Sequence, residues 1–163
     1  MKVGCGCFSQ KLTSSSPFVE TWSRFQYHER RGPIDASPAD VWAGVRDFGS
    51  PHRRLVPGFV LDARLDGEAR IVTFANSNVA RELLVDCDET RRRLVYAAVS
   101  ERVKQHSASV QVLADGEARS RLVWIVDVLP NEIAPYIDDQ MDQAALAMQK
   151  ALGRNPAQQP MPT

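Results

Sequence analysis

Polar and apolar positions along this chain change their period twice. From Phe59 the alternation runs in twos: Phe59, Leu61, Ala63 and Leu65 interleave with Val60, Asp62, Arg64 and Asp66, the mark of a half-buried strand. Asp66-Gly67-Glu68 turns the chain into a second such run, ARIVTFA (69–75), which makes a hairpin. Asn76-Ser77-Asn78 predicts the next turn, VARELLVDC (79–87) a strand, DETR (88–91) a turn and RRLVYAAVSER (92–102) another strand. The run HSASVQVLADGEARSRLVWIVDVLP (106–130) reads as two more strands hinged at Asp115-Gly116. Beyond it the period lengthens. Ile133, Ile137, Met141, Ala145, Met148 and Leu152 recur every three or four residues between Asn131 and Gly153, which predicts one long amphipathic helix.

Upstream of Phe59 the signals are local. YHERRGPID (27–35) reads as a first strand, and the helix after it is announced by Ser37 as N-cap, Pro38 at the first helical position and Asp40 in the first turn. Val41, Trp42 and Val45 are its apolar stripe; Gly49 and Pro51 end it, leaving room for a second short helix before Pro57-Gly58. Residues 1–26 lack a sustained period and are expected to form a partly disordered extension, with Phe18, Trp22 and Phe25 offering contacts to the domain. Residues 154–163 hold three prolines and no core former, and are expected to be a disordered tail. One domain, 27–153, lies between.

The order strand, two short helices, six-strand meander and long helix predicts an α+β fold. A curved antiparallel sheet of seven strands wraps around the C-terminal helix, and the two short helices lie between strands 1 and 2. One helix is too narrow to cover one face of such a sheet, so a cavity is expected beside it, closed at one end by the short helices.

Composition trims the list of functions. Twenty Lys and Arg balance twenty Asp and Glu, so no overall field collects nucleic acid. No apolar run reaches the ~20 residues that span a bilayer, and stable membrane insertion is not expected. Cys5, Cys7 and Cys87 are odd in number and suggest no disulfide framework, in keeping with a cytoplasmic location. No metal-ligand spacing, phosphate loop or Gly-x-Ser-x-Gly occurs, so no metal, cofactor or catalytic residue is assigned. The oligomeric state stays open.

Three stretches then carry a resemblance: IDASPADVWAGVRDF (34–48), VARELLVDCDETRRRLVYAAV (79–99) and RLVWIVDVLP (121–130). With Ala36, Pro38, Val41 and Trp42 at the first helix, Arg81-Glu82 in a strand, Asp88 in a turn and Leu94 and Tyr96 in the next strand, residues 28–152 resemble the polyketide cyclase/dehydrase and lipid transport family. That family belongs to the START-like, birch-pollen-allergen-like (SRPBCC) superfamily. Ser77 departs from it, standing where glycine is commoner, and the first 26 residues have no counterpart. The resemblance implies a helix-grip fold and an apolar ligand pocket, and little about the ligand.

Strand parity selects the pocket candidates. If Leu94 and Tyr96 face inward, so do Ala98 and Ser100; Glu82 shares a face with Ala80 and Leu84, His106 with Ala108 and Val110, and Trp124 with Leu122 and Val126. In related hormone receptors the acidic residue of the Glu82 strand faces the cavity, which the resemblance carries to Glu82. The candidate ligand-binding residues are therefore Glu82, Tyr96, His106, Ala108 and Trp124, faced by Met141, Ala145 and Met148 from the long helix. Against this, Glu82 can instead pair at the surface with Arg81 or Arg91–Arg93, His106 can sit at a rim, and Trp124 and the methionines can be ordinary core. The expected function is binding or transport of a small apolar molecule (lipid, polyketide or isoprenoid-like) between sheet and helix. A polyketide cyclase or dehydratase type of enzyme using the same cavity is the alternative, and a protein-partner regulator comes third.

Overall fold

A computed structural model describes residues 27–101 and 103–153; the readings made for 1–26 and 154–163 lie outside the described residues. In chain order the elements are β1 (Tyr27–Ile34), α1 (Pro38–Val45), α2 (Pro51–Arg54), β2 (Val60–Asp66), β3 (Ala69–Phe74), β4 (Val79–Asp88), β5 (Arg93–Val99), β6 (Gln105–Ala114), β7 (Ser120–Leu129) and α3 (Ala134–Leu152). The strands form a single antiparallel sheet of seven, ordered β1-β7-β6-β5-β4-β3-β2. Consecutive strands from β2 to β7 are neighbours, as tight turns require, while β1 joins the free edge of β7 with Tyr27 opposite Asp127 and Ile34 opposite Ser120.

The sheet curls around α3, and side chains at its two sides hold the helix. From β1, Arg30 donates to Asp142 at 2.6 Å; from the β3–β4 turn, Asn78 donates to the Tyr136 hydroxyl at 2.8 Å. Glycine lets helix and strand approach closely, since a Cβ at Gly32 of β1 would stand 2.9 Å from the Gln149 amide nitrogen. The helix-grip expectation is therefore met, with the core between the sheet's concave face and α3.

α1 starts as its sequence dictates. The Ser37 hydroxyl accepts from the Asp40 backbone N–H at 3.2 Å and donates to the Asp40 carboxylate at 2.7 Å. Val41 and Trp42 enter the core, and the Trp42 indole N–H donates to Glu89 in the β4–β5 turn at 2.7 Å, with Arg46 on the other carboxylate oxygen at 2.9 Å. Those bonds hold the Glu89 carboxyl below its ordinary pKa, that from Trp42 most. In this way α1 is tied across one end of the concave face.

Two local readings need correction. The simple alternation through β2 placed Leu61 with Ala63, yet Leu61 is exposed while Val60 is buried. The cause is a register shift between Val60, opposite Phe74, and Asp62, opposite Thr73: one extra residue reverses the parity of what precedes it. The long helix also starts later than Asn131, because Asn131–Ile133 form a single 3-10 turn and α3 proper begins at Ala134.

Candidate ligand-binding site

The concave face carries polar groups in an otherwise apolar surface. Period two in β3 puts Arg70 on the same face as Val72, and the β3–β4 register sets it opposite Glu82. Both side chains are buried, and Arg70 donates from Nε and lies with Nη2 on the same Glu82 oxygen, each at 2.6 Å. A further nitrogen of Arg70 donates to the Phe48 carbonyl at 3.0 Å, and the guanidinium lies over the rings of Phe48 (4.3 Å) and Tyr96 (5.2 Å). Glu82 faces inward, as the resemblance implied, but it meets a fixed cation there. That partner is Arg70 rather than Arg81 or Arg91–Arg93; Arg81 reaches Asp66, and Arg91 reaches Asp88.

Tyr96 and His106 stand beside this pair, their ring centroids 6.1 Å apart. Burial pushes the Tyr96 hydroxyl well above its ordinary pKa, and the Glu82 carboxylate adds to the shift. Burial also pushes His106 down, partly opposed by Glu82. Its Nδ1 accepts from the Ala98 backbone N–H at 3.2 Å, which a neutral ring permits and a protonated one does not. Glu82, Tyr96 and His106 are thus brought together, with Arg70 as their unforeseen fourth member.

Ala108 lies between Tyr96 and Val126 in the sheet register and is fully buried. Across it, Trp124 comes close enough for its indole N–H to lower the Tyr96 pKa slightly, although no described residue offers Nε1 an acceptor at hydrogen-bonding geometry. Trp124 is also a wall of a half-open groove of about 270 Å³ between β1, β7 and α3. Ile34, Leu122, Ala145, Leu146 and Met148 supply its apolar lining, and Arg30, Asp142 and Gln149 its polar margin. Of the candidate residues, Trp124, Ala145 and Met148 line this groove, whereas Met141 and Ala108 are packed in the core beside it.

Three residues of this surface were not picked from the sequence. Arg70 had a usable signal, its parity with Val72 and Phe74. His28 and Asp138 had none: His28 is placed inward by the β1–β7 ladder, and Asp138 lies on the flank of the α3 apolar stripe, where it meets His28 Nδ1 at 2.8 Å and Arg30 at 2.9 Å. The His28 and Arg30 contacts hold the Asp138 carboxyl below its ordinary pKa. Among the described residues no group of three His, Cys, Asp or Glu side chains is placed to hold a metal ion, and no helix is long and apolar enough to cross a membrane.

Solved structures share this architecture. An uncharacterized protein from Bacillus thuringiensis superposes with a TM-score of 0.70 at 18% identity, covering 78% of this chain and 98% of that one. A START superfamily protein from Mycobacterium smegmatis gives 0.62 at 12% identity, over 78% of this chain and 94% of that one. Truncated norcoclaurine synthase from Thalictrum flavum gives 0.61 at 15% identity, over 77% and 91%. No curated protein sequence matches the chain. The family model for polyketide cyclase / dehydrase and lipid transport matches residues 28–155, more than three quarters of the chain, and the chain belongs to that family.

Proposed function

We propose that the chain binds or carries a small apolar molecule, of the lipid, polyketide or isoprenoid kind, in the space between the concave face and α3. The observation that carries this reading is the apolar groove at Trp124, whose walls come from β1, β7 and α3 in a fold of the lipid-transport family. A ligand site of this kind needs a mostly apolar wall and a few fixed polar groups to set orientation. Ala145 and Met148 supply the first; Trp124 and, deeper in, Tyr96 and His106 the second. No step in this function needs a cofactor. The free thiol of Cys87 accords with action in the cytoplasm.

A second reading, cyclase or dehydratase chemistry in the same space, draws on His106, an imidazole kept neutral beside the Tyr96 ring. It predicts product formation that His106→Asn abolishes while affinity persists.

Filling the space tests the first reading. Ala145→Trp should occupy the groove and Ala108→Trp should overpack the floor beside it, at a cost of about 1–3 kcal/mol in stability. Titrated with 1-aminoanthracene, both folded variants should lose the affinity of the parent. Undiminished affinity in both would overturn the proposal.

A further inference from the structure

The face of the sheet turned away from α3 is apolar as well. Glu82, Tyr96, Ala108 and Trp124 alternate with residues that point outward, and one row of these runs from Val95 of β5 through Ser109 of β6 to Ile125 of β7, reaching Glu29 of β1. Beside it Leu83 of β4 opposes Ala97 of β5. Small side chains in the middle, Ala97, Ser107 and Ser109, leave a shallow trough between Leu83 and Ile125. Val95 and Val123 on this face are buried, with 8% and 7% exposure, yet they stand outside the core cluster that the concave face shares with α1 and α3. An antiparallel sheet with one face on a core ordinarily turns a polar face outward, and an apolar one marks a docking surface.

The chain itself supplies an occupant. Tyr27, opposite Asp127 and of the same outward parity, stands at the edge of this surface, so the segment before it arrives there. In that segment Phe18, Trp22 and Phe25 recur at steps of four and three, while Glu20, Ser23 and Arg24 fall on the other side of a helix. Ser16 and Pro17 precede them as Ser37 and Pro38 start α1. As a helix, residues 17–25 would be about 13 Å long, and the strand spacings from β1 through β7 and β6 to β5 come to about 14 Å. The two lengths match. So short a helix is unstable alone in water and forms only when its aromatic side is packed.

We propose that residues 17–25 dock as an amphipathic helix on the outward face of β5, β6 and β7, with Phe18, Trp22 and Phe25 in the trough between Leu83 and Ile125. The segment then shields an apolar face that would otherwise favour association between copies. This docking is independent of whether the space beside α3 takes a ligand.

Nuclear Overhauser contacts in the full chain, with its isoleucine, leucine and valine methyls labelled, test the docking. The Trp22 ring should contact the Val95 and Ile125 methyls. Trp22→Ser should shift those two while leaving Leu94 and Val126, which face α3, in place. Absence of contact from Trp22 to either methyl would overturn the proposal, as would shifts in Trp22→Ser spread equally over both faces. In a mixture of labelled and unlabelled chains, contacts found only between copies would give the face to a second molecule and overturn it too. Ile125→Lys is the reciprocal variant, read in protein labelled with 5-fluorotryptophan. The Trp22 resonance, assigned with Trp22→Phe, should ignore replacement of H2O by D2O in the parent and respond to it in Ile125→Lys; an equal response in both would contradict the docking.

Discussion

Arg70 and Glu82 show how much one pair can hold. Two charges removed from water are stable together only while each satisfies the other, and removing one leaves the second buried alone. Glu82→Gln should therefore lower the unfolding free energy by about 3 kcal/mol, and Arg70→Met/Glu82→Leu should recover most of the loss. Urea unfolding of the three proteins measures both effects. A near-neutral Glu82→Gln would mean that the pair contributes little. It follows that a loss of ligand affinity in Glu82→Gln is informative only in protein shown to be folded. His106 adds a dependence on pH. Burial lowers its pKa from the ordinary 6.5, so the unfolded chain binds its proton first as pH falls. Stability thus decreases as pH drops through that value, and Asp138, whose pKa is also lowered, extends the loss to more acid conditions. Urea midpoints measured from pH 7.5 to 5.5 should fall in the parent and change less in His106→Asn, whose amide oxygen can still accept from Ala98. Identical slopes would remove His106 from the account.

At the scale of elements, the β3–β4 turn links the sheet to α3. Ser77 there has a positive φ of 67°, while the Asn76 side chain accepts from the Asn78 N–H at 3.0 Å. A side chain in the left-handed region is strained, so Ser77→Gly should raise stability by about 0.5 kcal/mol and Ser77→Val should lower it by about 1–2 kcal/mol. Thermal melts of the two variants shifting in the same direction would refute the strain. Elements with local signals were legible before the fold was known: the Ser37-Pro38-Asp40 start of α1, the three-and-four spacing of α3 and the alternation of β6 and β7. In β4, by contrast, a register shift between Leu84 and Asp86 leaves Leu84 exposed although it was placed with Glu82, and in β5 Val95 is buried beside Leu94 and Tyr96 while Ser100 is exposed. The β2 bulge was not, because an extra residue leaves the pattern plausible in either parity. The pairing of Arg70 with Glu82 was hidden for a related reason: a strand's own sequence gives its faces but not its register against a neighbour. His28 depends on β1 meeting β7 and then α3, contacts across about a hundred residues that no local period encodes.

For the whole molecule, sheet and helix divide the work. The sheet curls around α3 and is tied to it from β1 and from the β3–β4 turn, and α1 lies across one end. Between these ties the concave surface passes from the Arg70–Glu82 pair, by Tyr96 and His106, over Ala108 to Trp124 and the open groove. The central claim is that this space holds an apolar molecule, and native mass spectrometry of freshly purified protein tests it most directly. The account predicts that the parent retains a bound small molecule, released on denaturation and absent from folded Ala145→Trp; a parent with no bound mass that also fails to take up added apolar probes would contradict it.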